Sequence, residues 1–232
     1  MPVIAMTHEI GTLGEEVAAE LALRLDVEFA DQLFLQDRIV DRLAGGKALF
    51  TDRQPLQPRP EPHDRSLQVD ERCLARCAED EVRELAAYGN VLVRGWGAPT
   101  ILRGCPHIFR VRVTAPIDAR LANLRAASRS QGTAALRRQI ESSDACLASN
   151  LEPMFGPGWR AGDIYHLVLG MHKLSVSDAV DLIAAYIEVA VRQDEDLFEQ
   201  PTCCRHAPRD AGFVVADPAS IARAEQALFG AR

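Results

Sequence analysis

The chain has 232 residues, of which 47% are hydrophobic and 25% are charged, and this is the composition of an ordinary globular protein. It excludes a disordered chain, a collagen-like repeat and a disulfide scaffold as descriptions of the whole. The 33 acidic residues outnumber the 26 basic ones, which gives a net charge of −7. Because such a surface offers no broad positive field for a phosphate backbone, we expect no nucleic-acid partner.

Neither a membrane span nor a secretory leader is recognisable. No apolar run approaches the roughly 20 residues that cross a bilayer, and the first residues lack the basic start and apolar stretch of a signal peptide. The six cysteines are unevenly placed and are interpreted as reduced thiols. These features predict a cytoplasmic protein without a membrane partner, and they leave open whether it forms a homodimer.

Short apolar runs alternate along the chain with segments in which apolar residues recur at helical spacing. In chain order, these patterns predict a strand over 2–6, a helix over 15–25, a strand over 26–31, helices over 34–43 and 69–88, strands over 90–94 and 108–115, helices over 117–127 and 134–151, a strand over 165–169 and a helix over 175–192. Strands separated by helices of this length pair in parallel through right-handed crossovers. The sequence therefore predicts an α/β fold, a three-layer parallel sheet with helices on both faces.

Changes in composition suggest how this fold is organised. We predict one domain over residues 1–193, followed by a C-terminal extension over 194–232. Four prolines and little apolar content over 51–64 indicate an extended connection within the domain. The region from about 128 to 160 is expected to form a helical lid.

A glycine turn follows the first predicted strand. Gly11 and Gly14 lie where a loop could bind a phosphate with its backbone amides, close to the positive end of the next helix. A Walker A loop would have lysine and then serine or threonine after its second glycine, whereas this chain has Glu15 and Glu16. Both a phosphate-binding loop and a plain strand-to-helix turn are compatible with this pattern.

Several segments taken together resemble the cytidylate kinase-like family over roughly residues 3 to 190. The resemblance rests on the order and spacing of segments 4–18, 27–31, 91–98, 101–103 and 109–116, with support from Asp144, Gly158-Trp159, 165–169 and 174–183. It implies a P-loop nucleoside monophosphate kinase fold. It also implies transfer of the γ-phosphoryl group of ATP, with Mg²⁺, to a nucleoside monophosphate such as CMP or dCMP.

Catalysis of this kind depends mainly on positioning and on neutralising the phosphate charge, so basic residues are the working parts. This chain departs from the family pattern at several basic positions and at some others. The replacements are Thr7-His8 for a serine-arginine pair, Leu13 for a third glycine, Glu15 for arginine, Trp96 for the arginine of a glycine-arginine-glycine turn, Cys146 for a lid arginine, and His166 and Gly170 for a late aspartate and asparagine.

The resemblance assigns site residues in three groups. The catalytic candidates are Arg103, Arg110 and Asp144; the ATP-binding candidates are Gly11, Thr12, Leu13, Gly14, Glu15, Arg137 and Arg138; and the substrate-binding candidates are Asp31, Arg94, Gly95 and Gly97. Arg103 could equally form a surface salt bridge, Arg110 could be a strand-end cation, and Asp31 could cap a helix. No metal site is predicted, because neither Cys73 and Cys77 nor the cluster of Cys203, Cys204 and His206 has the paired spacing of a zinc site.

Two functional hypotheses follow. In the first, the chain is a nucleotide phosphotransferase whose missing basic groups are supplied by Arg94, Arg103, Arg137 or Arg138. In the second, it is a catalytically impaired kinase-like module that binds a nucleotide, another anion or a protein partner in a regulatory role. The discriminating feature is whether arginines or carboxylates face the space beside the glycine turn.

Overall fold

A five-stranded parallel sheet forms the centre of the molecule. The computed structural model describes residues 2–43, 71–128 and 131–193. The strands are β1 (Val3–His8), β2 (Glu28–Ala30), β3 (Val91–Arg94), β4 (Ile108–Thr114) and β5 (Leu167–Gly170). They lie in the order β2-β3-β1-β4-β5, and each neighbouring pair is parallel. The predicted α/β fold is confirmed.

Helices cover both faces of the sheet. They are α1 (Gly14–Leu25), α2 (Gln32–Leu43), α3 (Glu71–Tyr88), α4 (Ala98–Ile101), α5 (Ile117–Ala127), α6 (Thr133–Phe155) and α7 (Val176–Gln193), and three short 3₁₀ turns occupy Pro157–Arg160, Gly162–Ile164 and Met171–Lys173. Within the described ranges, no helix combines the length and apolar character that a membrane span requires.

Strand β1 shows how the sequence builds the two cores. Ile4 and Met6 belong to the cluster that includes α1 and α7, whereas Val3 and Ala5 belong to the cluster that includes α2, α3 and α4. Successive side chains of a strand point to opposite faces, so a continuous apolar run fits a strand that is buried on both sides. This central strand delivers the glycine turn to the carboxyl edge of the sheet, where ligands bind in folds of this class.

The largest difference from the predicted bounds is at the C-terminal end of α6, and the other bounds differ by two residues at most. Helix α6 was expected to end at residue 151, but it continues through Pro153 to Phe155, where the Gly156 N–H donates to the Glu152 carbonyl at 2.9 Å. Pro153 has no N–H to donate, so the last turn of α6 has one backbone hydrogen bond fewer than a regular helix. Strand β5 begins at Leu167 rather than at residue 165.

Helix α4 is an element that the sequence analysis missed. It is a single turn that follows Gly97, which has a φ of +67°, and it carries a proline in its first turn. One turn is too short to show helical periodicity. The proposed proline-rich connection (51–64) and C-terminal extension (194–232), including Cys203, Cys204 and His206, lie outside the described residues.

Candidate functional site

A cavity of about 520 Å³ lies at the carboxyl ends of β1 and β3. One wall consists of residues 7–10, where β1 enters the glycine turn, and of residues 94–97 after β3. The opposite wall is one face of α6, between residues 139 and 151, and Gln32 of α2 lies against Gly95 on the first wall. The volume suits a ligand the size of a nucleoside or a sugar.

The glycine turn is tightly packed on its own surroundings. Gly11 has a φ of +79°, and a Cβ atom there would lie 2.8 Å from the Arg120 carbonyl oxygen. A Cβ atom on Gly14 would lie 2.4 Å from the Cβ of His8. Thr12 is fully buried, and its hydroxyl donates to the Glu9 carbonyl at 2.7 Å. These contacts explain the glycines and the threonine as requirements of the turn itself.

Arg94 is a cation of the cavity wall, and it is held by residues of the same chain. Its Nη1 donates to His8 Nε2 at 2.8 Å, and its Nη2 donates to Glu15 Oε1 at 3.2 Å. The Asp31 carboxylate lies 4.0 Å from the same Nη2. Arg94 is only 8% exposed. Its charge is therefore already balanced before any ligand enters the cavity.

His8 contributes no positive charge to the cavity wall. Burial lowers its pKa below the usual value, and the neighbouring Arg94 lowers the pKa further. The contacts fit a single neutral tautomer, in which Nδ1 lies 3.2 Å from the Glu9 carbonyl oxygen as donor and Nε2 accepts from Arg94. His8 therefore presents a neutral ring where the family pattern has an arginine.

Glu9 forms a second ion pair across the sheet. Arg112 of β4 donates through Nη2 to Glu9 Oε1 at 2.5 Å and through Nη1 to the Arg160 carbonyl at 2.9 Å. The Glu9 and Arg112 side chains are 12% and 15% exposed. Sequence analysis did not single out Arg112, because nothing in its local pattern shows that β4 lies beside β1.

Asp144 forms a third ion pair, which joins the lid to the glycine turn. Buried Arg120 of α5 donates to both Asp144 oxygens, at 2.8 and 2.6 Å, and its Nε donates to the Ile10 carbonyl at 2.7 Å. Asn123 donates to the Gly11 carbonyl at 2.9 Å. Asp144, predicted as catalytic, therefore lines the cavity with its carboxylate bound by a guanidinium.

Other predicted residues lie away from the cavity wall. Arg103 donates to Asp163 at 2.8 Å in an exposed pair, and Arg137 lies 3.4 Å from Asp118 in another. Arg138 is exposed on α6 and is not part of the cavity wall. These contacts favour the salt-bridge alternative for Arg103, while a phosphate role for the three arginines stays a prediction.

Arg110 is a buried anchor for the segment that leads into β5. It donates through Nε to the Ile164 carbonyl at 2.6 Å and through Nη1 to the Cys105 carbonyl at 3.3 Å. Its Nη2 lies 2.6 Å from His166 Nε2. Burial and the Arg110 charge together lower the pKa of His166. Arg110 is the third residue of β4 and is not part of the cavity wall, and a catalytic role for it stays a prediction.

The substrate-binding candidates divide by location. Gly95 and Gly97 line the cavity together with Trp96, which has a φ of +49°. Asp31 Oδ1 accepts from the Phe34 N–H at 2.8 Å, so Asp31 caps α2, as its alternative interpretation predicted. Its other carboxylate oxygen approaches Arg94, and this contact places Asp31 next to the cavity as well.

The lid contributes polar residues that the sequence analysis missed. Neutral side chains of α6 line the cavity, namely Gln139, Ser142, Ser143 and Asn150. Their spacing of three, one and seven residues places them along one side of the helix, and this polar periodicity was the signal that could have found them. The lid wall thus offers amides and hydroxyls where the family pattern expects arginine.

The ion pairs leave this site poorly suited to a polyphosphate. Each arginine that lines the cavity or binds a cavity-lining carboxylate is itself paired, as Arg94 with Glu15, Arg112 with Glu9 and Arg120 with Asp144. Within residues 2–43, 71–128 and 131–193, no three His, Cys, Asp or Glu side chains cluster so that they could hold a metal ion. Hydrogen bonding to neutral groups is the chemistry that the wall offers most.

Comparisons with known proteins agree with this architecture. The model of the cytidylate kinase-like family matches residues 3–173. A crystal structure of an uncharacterized protein from Eubacterium ventriosum is similar, with a TM-score of 0.62 and 16% identity over 81% of this chain and 99% of that chain. A shikimate kinase from Bacteroides thetaiotaomicron matches with a TM-score of 0.48 and 15% identity, covering 81% of this chain and 98% of its own. No curated protein gives a significant match.

Proposed function

Since the chain belongs to the cytidylate kinase-like family, we propose that it is a kinase-fold module that binds a small ligand in a regulatory role and does not transfer the γ-phosphoryl group of ATP. One observation carries the proposal: carboxylates of the chain pair with the arginines around the glycine turn. Phosphoryl transfer needs cations that are available to the phosphates. Here those cations are balanced internally.

ATP and Mg²⁺ are implied for an active member of the family, but the residues at this turn do not fit them. Glu15 stands at the start of α1 where the pattern has a basic residue, and its carboxylate would repel the β- and γ-phosphates. Acidic residues in a first helical turn instead favour the helix by complementing its dipole. The proposed role requires neither ATP nor a metal ion.

The first test is a phosphotransfer assay together with a binding measurement. Purified protein is incubated with ATP, Mg²⁺ and either CMP or dCMP, and ADP formation is followed. We expect no ADP above the rate without protein, and no rise in melting temperature with millimolar ATP, because a ligand that binds the native state raises its apparent stability. Mg²⁺-dependent turnover that is lost in Arg94→Ala would overturn the proposal and restore the phosphotransferase hypothesis.

A second test asks whether Glu15 is what excludes ATP. Glu15→Lys replaces the repelling carboxylate with a cation, and Glu16→Lys makes the same charge change one residue further along α1. We expect Glu15→Lys to bind ATP at least about tenfold more tightly than Glu16→Lys, a difference of about 1.4 kcal/mol. Equal affinities for ATP would show that Glu15 does not control the site.

A further inference from the structure

We infer that the ligand of this cavity is an uncharged, hydroxyl-rich ring compound of nucleoside size and that its phosphorylated form is rejected. The inference rests on the proposed function and names the ligand class of the same cavity. Three features of the cavity support this ligand class, namely the charges at its wall, two buried atoms without partners and the polar side chains of α6.

The first observation is the charge balance. Three charged side chains line the cavity, and together with their ion-pair partners they comprise four carboxylates and three guanidinium groups. The carboxylates belong to Glu9, Glu15, Asp31 and Asp144, and the guanidinium groups to Arg94, Arg112 and Arg120. A phosphate dianion would add its charge to a cluster that already has an excess carboxylate, and the low local dielectric makes that repulsion strong.

The second observation concerns two buried polar atoms of cavity-lining residues. Among the residues that the structure describes, Glu9 Oε2 and Arg94 Nε have no hydrogen-bond partner. One is an acceptor and the other a donor, and leaving such groups unpaired is costly. Both atoms are buried behind the cavity wall, so a ligand hydroxyl reaches them only after the Glu9 and Arg94 side chains shift; it then donates to the first and accepts from the second. A phosphate dianion can only accept, so it would leave Glu9 Oε2 without a donor and face the negative charge of the carboxylate.

The third observation is the chemistry of the lid wall. Gln139, Ser143 and Asn150 present amide and hydroxyl groups, which bind neutral donors and acceptors on a ligand. Gln32 adds another amide from the opposite side. The cavity of about 520 Å³ holds a nucleoside or a cyclic polyol, and these two sources share the same hydroxyl chemistry.

The experiment compares matched pairs of ligands by calorimetry on the full chain. Cytidine is titrated against CMP, and D-ribose against ribose 5-phosphate, with myo-inositol as a further uncharged compound. We expect saturable binding of at least one uncharged compound and at least tenfold weaker binding of its phosphorylated counterpart. Binding of the nucleoside alone identifies the nucleobase as part of the ligand, whereas binding of ribose or inositol identifies the polyol.

Variants test the physical cause of the preference. Glu15→Gln removes one carboxylate and its ion pair with Arg94, so we expect binding of the phosphorylated compound to tighten at least threefold relative to binding of the uncharged one. Glu16→Gln makes the same charge change on the same helix, and we expect it to alter the affinity for neither the phosphorylated nor the uncharged compound. Ser143→Ala should weaken the uncharged ligand, while Ser149→Ala, on the same helix but away from the cavity wall, should not.

The results separate the two proposals. Binding of CMP as tight as or tighter than cytidine, or no binding of any uncharged compound, overturns the inference on the ligand class. The proposed lack of phosphotransfer fails only if ADP is formed in the kinase assay, which is a separate measurement. Either failure can therefore occur without the other.

Discussion

His8 connects the glycine turn to the cavity at the scale of a single side chain. A Cβ atom on Gly14 would lie only 2.4 Å from the Cβ of His8, so the two residues are in close contact. The His8 ring accepts a hydrogen bond from Arg94. A charged imidazole could not accept that bond and would repel the guanidinium. The neutral form is therefore part of the folded structure, and protonation must work against folding.

The first prediction is a loss of stability in mild acid. The pKa values of His8 and His166 are both lowered from 6.5 in the folded protein, so the unfolded chain binds more protons below that value. Above about pH 6.5 both rings are neutral in the folded and in the unfolded chain, and their full contribution to stability is present. This contribution is lost as the pH falls from 6.5 to the lower pKa values that the two rings have in the folded protein. Urea unfolding at pH 7.5 and pH 5.5 measures this difference.

The variant His8→Gln checks the assignment. Glutamine keeps an acceptor for Arg94 but does not titrate, so the stability difference between the two pH values should shrink. Exposed His172→Gln serves as the control and should keep the full difference. If His8→Gln shows the same stability difference between pH 7.5 and pH 5.5 as the unmodified protein, His8 has no role in the acid sensitivity.

At the scale of elements, a buried ion pair holds α2 against α3. Glu81 of α3 is fully buried, and both Arg38 and Arg42 of α2 donate to its carboxylate. Around it, Ile39 and Leu43 of α2 belong to the same apolar cluster as α3 residues. Since removal of one partner leaves uncompensated charge in the interior, this network should depend strongly on Glu81.

The second prediction compares two glutamates of α3. Glu81→Ala removes the buried carboxylate that Arg38 and Arg42 share, although Arg42 keeps its contact with Glu84, and we expect it to lower the free energy of unfolding by about 3–5 kcal/mol. Glu79→Ala removes a partner of Arg83 from a half-exposed pair and should cost no more than about 1 kcal/mol. Chemical denaturation of both variants measures the costs, and similar values would show that the buried network is not special.

At the scale of the whole molecule, Arg120 couples three parts of the fold. It belongs to α5, donates to the Ile10 carbonyl in the glycine turn and binds Asp144 on the lid helix with two hydrogen bonds. Arg160 also donates to the Asp144 carbonyl, at 3.2 Å. One buried guanidinium therefore joins the lid helix to the turn, and both of the residues that it binds line the cavity.

The third prediction is that loss of this contact loosens the lid. Asp144→Asn keeps the size of the side chain but removes its charge, and charge-assisted hydrogen bonds contribute about 1.5–3 kcal/mol. We expect amide hydrogen exchange in α6 to become roughly tenfold faster, which corresponds to about 1.4 kcal/mol. Asp163→Asn, which breaks the exposed pair with Arg103, is the control and should leave α6 unchanged. Equal exchange rates in the two variants would contradict the coupling.

The order of strands and helices and the position of the glycine turn were determined by the sequence alone. These features depend on local patterns, namely apolar runs for buried strands, helical spacing for the helices and glycine where the chain turns sharply. The loss of basic residues at His8, Glu15, Trp96 and Cys146 was also visible, because the family order fixes which positions to compare. The sequence therefore predicted the fold class and cast doubt on phosphotransfer.

Only the tertiary structure decided which charges meet at the site. His8 and Arg94 are 86 residues apart, and Glu9 and Arg112 are 103 residues apart, yet parallel pairing places both partners beside the same turn. Asp144 meets Arg120 because α5 and α6 pack on each other. An ion pair between distant residues leaves no periodic trace in either segment. For this reason the balance of charge in the cavity could not be predicted from the sequence.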